Sequence, residues 1–342
     1  KIIIYCHKIH HRVFHKIMDN NLISNNYMFS VAPMMGVTTS SARYMYRLIS
    51  KRSTLFTEMI ASQAIYRGDY EKFLKKDSLE HPVILQVGGS DSELLKYSTR
   101  LANKFNYQGI NLNIGCPSKK VSQGRMGVCL MKEAELVKSC VQTMISESSI
   151  DISVKCRIGV DEFESYDFFK DFISTVATSG CNTFLVHARK AFLKGLDPKK
   201  NRTLPPLKYE YVHQLKKDFK DLKIIINGGL NSIDDCRSQL KYVDGVMVGR
   251  AIQSNPFFLE NVDHKIFNDE FKTLNKNKII GKYFEYIKEN IDCISTYELL
   301  SPLLALCFGI PGSKKFKQEV NDLIRKKDIK RLEDTYVSLI AA

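Results

Sequence analysis

The chain reads as a closed parallel (β/α)8 TIM barrel followed by a small all-helical domain, and three observations predict this. Eight short β-rich runs recur along it, at 28–34, 54–60, 82–88, 109–115, 151–159, 183–189, 223–229 and 244–250. The stretches between them, such as DSELLKYSTRLANKFN and KEAELVKSCVQTMISES, carry apolar residues at i, i+3, i+4 and i+7, the period of a half-buried helix. Ser90 is the expected N-cap of the first of these. The doubly wound alternative lacks its usual signatures, since no GxGxxG follows the first strand and no GxxxxGK occurs anywhere.

Taken in order, residues 1–27 form a basic extension that holds His7, His10, His11 and His15. It has no small-residue cleavage site, so an organellar leader or a disordered segment fits better than a signal peptide, and no metal is assigned to its histidines. Residues 28–267 make the barrel. In such barrels chemistry sits at the C-terminal strand ends. Here those ends deliver Pro33, Met34 and Met35, then Glu58, Gln86, Asn113 with Cys116, Lys155 with Arg157, His187 with Arg189, Asn227 with Gly228 and Gly229, and Gly249 with Arg250. One polar residue at a strand tip is ordinary, but polar groups on nearly every tip are not. Residues 268–342 change character. KIIGKYFEYIKENI, LLSPLLALCFGIPG and KKFKQEVNDLIRKKD read as helices joined by short loops.

Composition restricts the function classes. No run approaches the ~18 consecutive apolar residues of a membrane span, so a soluble protein without a membrane partner is expected. The nine cysteines contain no CxxC pair, which argues against a zinc site or a redox pair and for a reducing, cytoplasmic setting. The net charge of +14 points to a polyanionic partner. Between Arg189 and Lys223 eleven basic residues stand against four acids, half of that surplus, and Pro198, Pro205 and Pro206 break any amphipathic helix there. Counterion release would make this stretch a sequence-independent grip on phosphates.

NLNIGCP at 111–117 is the sharpest chemical signal. Gly115 is read as permitting a tight turn and Pro117 as fixing φ, so the Cys116 thiol is presented at a strand tip instead of packed between layers. Gly228, Gly229 and Gly249 leave room for backbone N–H groups to approach an anion, with Arg250 as a charge-assisted clamp. Gln86, Lys155 and His187 would meet the polar edge of a ring held beside that phosphate. Flavin mononucleotide (FMN) fits this inventory. A hydride donor facing Cys116 suggests reduction of a polarised carbon–carbon double bond. An ordinary thiol, with a pKa near ~8.5, is protonated at neutral pH and can act as general acid. If Lys155 or Arg157 lowered that value, a thiolate nucleophile would be the other reading.

The runs SVAPM, LQVGGSD, INLNIGCPS, GVCLM, VKCRIG, HARKAFLKGL, NRTLPPL, INGG and DGVMVGRA resemble the flavin-dependent tRNA dihydrouridine synthases, and HARKA with NRTLPPL is similar to the A-type subfamily. The resemblance is close over 28–267 and looser beyond. It implies FMN as prosthetic group, NADPH as reductant, and tRNA D-loop uridine as substrate, at positions 20 and 20a in this subfamily. Carried over, it implies Cys116 as proton donor to C5. It implies flavin binding by Pro33, Met34, Met35, Gln86, Lys155, His187, Asn227, Gly228, Gly229, Gly249 and Arg250. It also implies that Asn113 holds the uridine, and that Lys199 and Arg202 contact tRNA, with Arg157 on the substrate side. The tail departs from the subfamily, with Ser301 and Pro302 where an arginine is expected, although Lys314, Lys315 and Lys317 offer replacement charge. A monomer is expected. The competing readings are a flavin barrel acting on a free pyrimidine, in the manner of dihydroorotate dehydrogenase, and a tRNA-binding module without catalysis.

Overall fold

The computed structural model describes residues 27–306, 318, 321–323, 325, 326 and 328–341. The extension up to residue 26 and Lys314, Lys315 and Lys317 lie outside the described residues. Eight strands, β1 Phe29–Val31, β2 Leu55–Ala61, β3 Val83–Gly88, β4 Gly109–Ile114, β5 Asp151–Arg157, β6 Thr183–His187, β7 Lys223–Asn227 and β8 Gly245–Val248, form one parallel sheet in the order β1-β8-β7-β6-β5-β4-β3-β2. The sheet closes at Thr54. The Val31 N–H donates to the Thr54 carbonyl at 2.9 Å, and the Thr54 N–H donates to the Phe29 carbonyl at 3.0 Å.

The period-2 alternation of strands sorts side chains between the barrel interior and the shell under the helices. Ile110, Leu112 and Ile114 of β4 and Val154 and Cys156 of β5 face the outer shell, where they join the main core. Tyr27, Phe56, Ile84, Leu185, Ile225 and Met247 fill the interior as a separate apolar cluster. Tyr27, assigned above to the extension, therefore belongs to the barrel and is 1% exposed. The same alternation carries Gln86, Asn113, Lys155, His187 and Asn227 to the mouth, two residues or one turn of pleat above that plug.

The connecting helices bury one face each, as their periodicity predicts. In the helix Ser92–Lys104, Leu95, Leu101 and Ala102 are buried. Its N-cap is Asp91, whose Oδ1 accepts from the N–H groups of Glu93 at 2.9 Å and Leu94 at 3.1 Å. Ser90 is therefore not the cap; its carbonyl instead accepts from the Cys140 thiol at 3.5 Å. An aspartate one residue nearer the helix reaches the orphan donors that a serine at 90 cannot.

Beyond the barrel, the helices Lys276–Asn290, Thr296–Ala305 and Ile329–Ala341 form the tail. Lys276–Asn290 docks on the barrel helix Ser40–Ile49 through aromatic stacking, with Tyr44 and Tyr286 at a centroid separation of 4.0 Å, Thr296–Ala305 packs on the same helix, and Ile329–Ala341 packs on Lys276–Asn290. Tyr283 and Tyr336 donate to the carbonyls of Leu299 and Leu303, both at 2.7 Å, so their buried hydroxyls are satisfied between the tail helices. Ser301 lies within Thr296–Ala305, where Pro302 also sits. No helix among the described residues is long and apolar enough to cross a membrane.

The helix Ser40–Ile49 is pinned from the other side by Glu80, which is fully buried. Its carboxylate accepts from Arg43 Nε at 2.7 Å, from the Asp77 N–H at 2.8 Å and from the Ser40 hydroxyl. Glu80→Ala would leave the Arg43 guanidinium buried without its counter-charge. A stability loss of about 3–5 kcal/mol is expected, read as a lower denaturant midpoint, and a loss within 0.5 kcal/mol would refute the role given to this pair.

Candidate active site

The thiol loop is built by Asn113. Its Oδ1 accepts from the N–H groups of Gly115 at 3.1 Å and Cys116 at 3.0 Å, bending the chain directly after β4. Gly115 does not have the left-handed φ its place in the motif suggests, and a Cβ there would meet only ordinary contacts at 3.5 Å. The glycine that the loop requires is Gly127, which the strand-end survey missed. It has φ +75°, a Cβ on it would collide with the Cys116 carbonyl, and the neighbouring Val128 N–H donates to that carbonyl at 3.0 Å. The signal was present in the GVCLM run but separated from Cys116 by a helix, Lys119–Gln123.

Arg157 locks the loop from the β5 side. Its Nε donates to the Gly115 carbonyl at 2.9 Å and its Nη1 to the carbonyls of Lys190 and Asn201, both at 3.0 Å. Three segments far apart in sequence are thereby tied beneath the mouth. Arg157 is 2% exposed, and burial lowers its guanidinium to about 10. Its Nε and Nη1 donate to backbone, so Arg157 clamps the loop while it also lines the cavity.

His187 on β6 stands opposite Arg157 of β5, and Lys155 lies two residues lower on β5, opposite Leu185. Lys155 Nζ donates to Asn227 Oδ1 at 3.2 Å, and Asn227 Nδ2 donates to the Met247 carbonyl at 2.8 Å. Burial, reinforced by Arg157, lowers the Lys155 ammonium to about 8. Burial, then Arg157, Lys155, Arg189 and Arg250, holds the His187 imidazole well below the ordinary histidine range. The mouth is thus strongly positive and His187 is neutral.

Gly228 and Gly229 follow with φ +113° and +72°, a conformation L side chains rarely adopt. A Cβ on Gly228 would lie 2.7 Å from His187 Cδ2, and one on Gly229 would lie 2.8 Å from the Tyr209 hydroxyl. Tyr209 donates to the Gly228 carbonyl at 2.6 Å and holds this turn.

These groups line one cavity of about 510 Å³. Of the residues that the sequence places at the site, Lys199, Glu58 and Arg189 are not on its wall; Lys199 immediately precedes the short turn Lys200–Arg202. Glu58 instead accepts from the Gly36 N–H. Lys120, at the start of the helix after GCPS, was missed and adds a cation. Lys120, Lys155, Arg157, Arg202 and Arg250 line the cavity, and among the described residues no aspartate or glutamate does. Nearby, Arg189 donates to the Pro205 carbonyl, and its buried Nε has no partner. The basic stretch is divided in use: Lys190 pairs with Glu164 at 2.6 Å and Lys216 with Asp244 at 2.9 Å, while Lys199, Lys200 and Arg202 stay exposed. A cavity lined by cations and by glycine backbone fits a phosphorylated ring compound, and the thiol faces it.

An anion in this cavity offsets the field that keeps His187 neutral. In the anion-free protein no NMR transition of the His187 ring is expected near the ordinary value of ~6.5, and added inorganic phosphate moves its titration upward. A His187 that titrates near ~6.5 without any anion would contradict the charge balance described above.

The Dihydrouridine synthase (Dus) family matches this chain over residues 30–340. A tRNA-dihydrouridine(20/20a) synthase of Yersinia pestis is 42% identical over 302 residues, covering 87% of each chain. The protein of that name from Pseudomonas aeruginosa is 40% identical over 315 residues, 92% of this chain and 95% of the relative. Its Escherichia coli K12 counterpart is 42% identical over 312 residues, 89% of each. With the match spanning both the barrel and the helical tail, this chain belongs to the dihydrouridine synthase family.

Proposed function

We propose that the chain reduces the C5–C6 double bond of a D-loop uridine in tRNA, at the 20/20a positions named for its relatives, with FMN as prosthetic group and NADPH as reductant. The observation that carries this reading is the pairing of a thiol on a hydrogen-bonded loop with a cavity that, among the described residues, has five cationic side chains and no acid on its wall. FMN, when bound, supplies the hydride that adds to C6. Gly228, Gly229, Gly249 and Arg250 would hold its phosphate, with Pro33, Met34, Met35 and Gln86 along the ring and Lys155, His187 and Asn227 at its polar edge.

The chain's own residues do the rest. The Cys116 thiol gives its proton to C5 on the side opposite the hydride, and a water from the mouth returns the proton afterwards. Asn113 still has one amide hydrogen not used by the loop or by Gln86, which suits it to a uracil carbonyl. A D-loop base must leave its stack to reach this depth, at a cost of a few kcal/mol. Lys199, Lys200 and Arg202 at the rim, and the helical tail over 268–342, would offset that cost through phosphate contacts.

The purified protein should carry a flavin spectrum and, with NADPH, form dihydrouridine in tRNA. Reduction of free uracil or orotate alone would favour the free-pyrimidine reading, and tRNA binding without turnover would favour the non-catalytic one. Cys116→Ala should keep the flavin and its reduction by NADPH while dihydrouridine formation slows roughly 10²–10⁴-fold. Wild-type turnover in that variant would remove the proton-donor role.

Replacing Lys199 and Arg202 together by alanine removes about two phosphate contacts. The slope of log affinity against log salt should then fall by somewhat less than two, at roughly 0.7–0.9 per contact. A slope that stays put, alongside normal dihydrouridine formation, would reject this rim as the docking surface.

A further inference from the structure

From the mouth downward, β3, β4 and β5 carry a chain of buried polar side chains whose two deeper members, Asn111 and Ser153, have no part in the chemistry above. Asn113 Nδ2 donates to Gln86 Oε1 at 2.9 Å, Gln86 Nε2 donates to Asn111 Oδ1 at 2.7 Å, and Asn111 Nδ2 donates to Ser153 Oγ at 2.9 Å. Ser153 is fully buried and Gln86 is 1% exposed. Asn111 is fully buried and is not among the residues that line the cavity.

Every bond in this chain runs in the same sense, and the sense is forced. Asn113 must turn its oxygen to the Gly115 and Cys116 N–H groups, so its nitrogen faces Gln86. Gln86 must then offer its oxygen and send its nitrogen onward, where only an acceptor will do. Asn111 Oδ1 is that acceptor. Were Asn111 to lose it, Gln86 could reverse, and two amide nitrogens would face each other with no acceptor between them. Asn113 would then lose the partner that holds its oxygen on the thiol loop.

We infer that Asn111 is a positioning residue for Cys116. Through Gln86 and Asn113 it sets the orientation of the amide that fixes the thiol loop, and Ser153 in turn sets Asn111. This rests on the proposed proton-donor role of Cys116, and it extends that role to a residue one pleat below the cavity.

The test compares wild-type holoenzyme with Asn111→Leu, which keeps the volume but offers no acceptor, and with Ser153→Ala, which removes a single oxygen. In Asn111→Leu, compared with wild type as holoenzyme of matched flavin content and at saturating tRNA, kcat should fall roughly 10–100-fold, the scale expected for a misplaced reacting group. Alkylation of Cys116 by iodoacetamide, measured against the exposed Cys293 of the same molecule, should become faster as the loop loosens. Ser153→Ala should move both readouts the same way by less. Wild-type kcat and an unchanged alkylation ratio in either folded variant would overturn the inference. So would a kcat loss with an unchanged ratio, because the thiol would not have moved. If Asn111→Leu does not fold, Ser153→Ala decides on the same two readouts. Full turnover by Cys116→Ala would remove the proton-donor reading alone, and the alkylation ratio would still judge the anchor.

Discussion

Closure of the sheet at Thr54 is the constraint on which the remaining architecture depends. An open sheet could let each strand choose its face, but eight parallel strands joined end to end must send alternate residues into one narrow interior. The interior holds an apolar plug of Phe56, Ile84, Leu185, Ile225 and Met247 low in the barrel. Above it, the next inward positions are Gln86, Asn113, Lys155, His187 and Asn227, which therefore converge on a single mouth. On the β3–β5 side the polar character continues downward through Asn111 and Ser153. That half of the barrel trades apolar packing for a satisfied amide chain with a defined direction.

Charge at the mouth is compensated unevenly, and the unevenness has functional content. Arg157 donates to three backbone carbonyls and Lys155 to the Asn227 amide oxygen, which solvate these cations without cancelling their charge. Arg250 and Lys120 have no acid beside them on the cavity wall. Burial and mutual repulsion lower Lys155 and His187 together, so an anion entering the cavity relieves several groups at once. Ligand binding and stability are linked through the same residues.

The tail and the mouth share one element. The helix Ser40–Ile49 meets Glu80 through Arg43 and meets Tyr286 through Tyr44, and it begins just after the Met34–Thr38 turn that forms one lip of the cavity. A second cavity of about 510 Å³ lies along this seam, with Lys72, Lys76, Tyr286 and Glu298 on its wall. The seam thus sets the tail helices against the barrel helix that follows a residue run bordering the site.

Much of this was legible in the sequence because it is periodic or local. The eight strand runs, the helical faces between them and the convergence of polar strand ends follow from repeats of two and of three to four residues, which a single segment carries by itself. Tertiary structure alone decided which of those polar groups are spent on the protein. Arg157 stands on the cavity wall as its place at a strand end suggests, and it also clamps the carbonyls at 115, 190 and 201, which no local pattern connects to it. Gly115 looked like the glycine of the turn, whereas the bend belongs to the Asn113 side chain and the close approach to Gly127. Ser90 lost the helix cap to Asp91 by a difference of one residue in reach. A residue's type and its face are properties of its own segment, but the partner that consumes its hydrogen bonds comes from wherever the closed barrel brings another strand or loop against it.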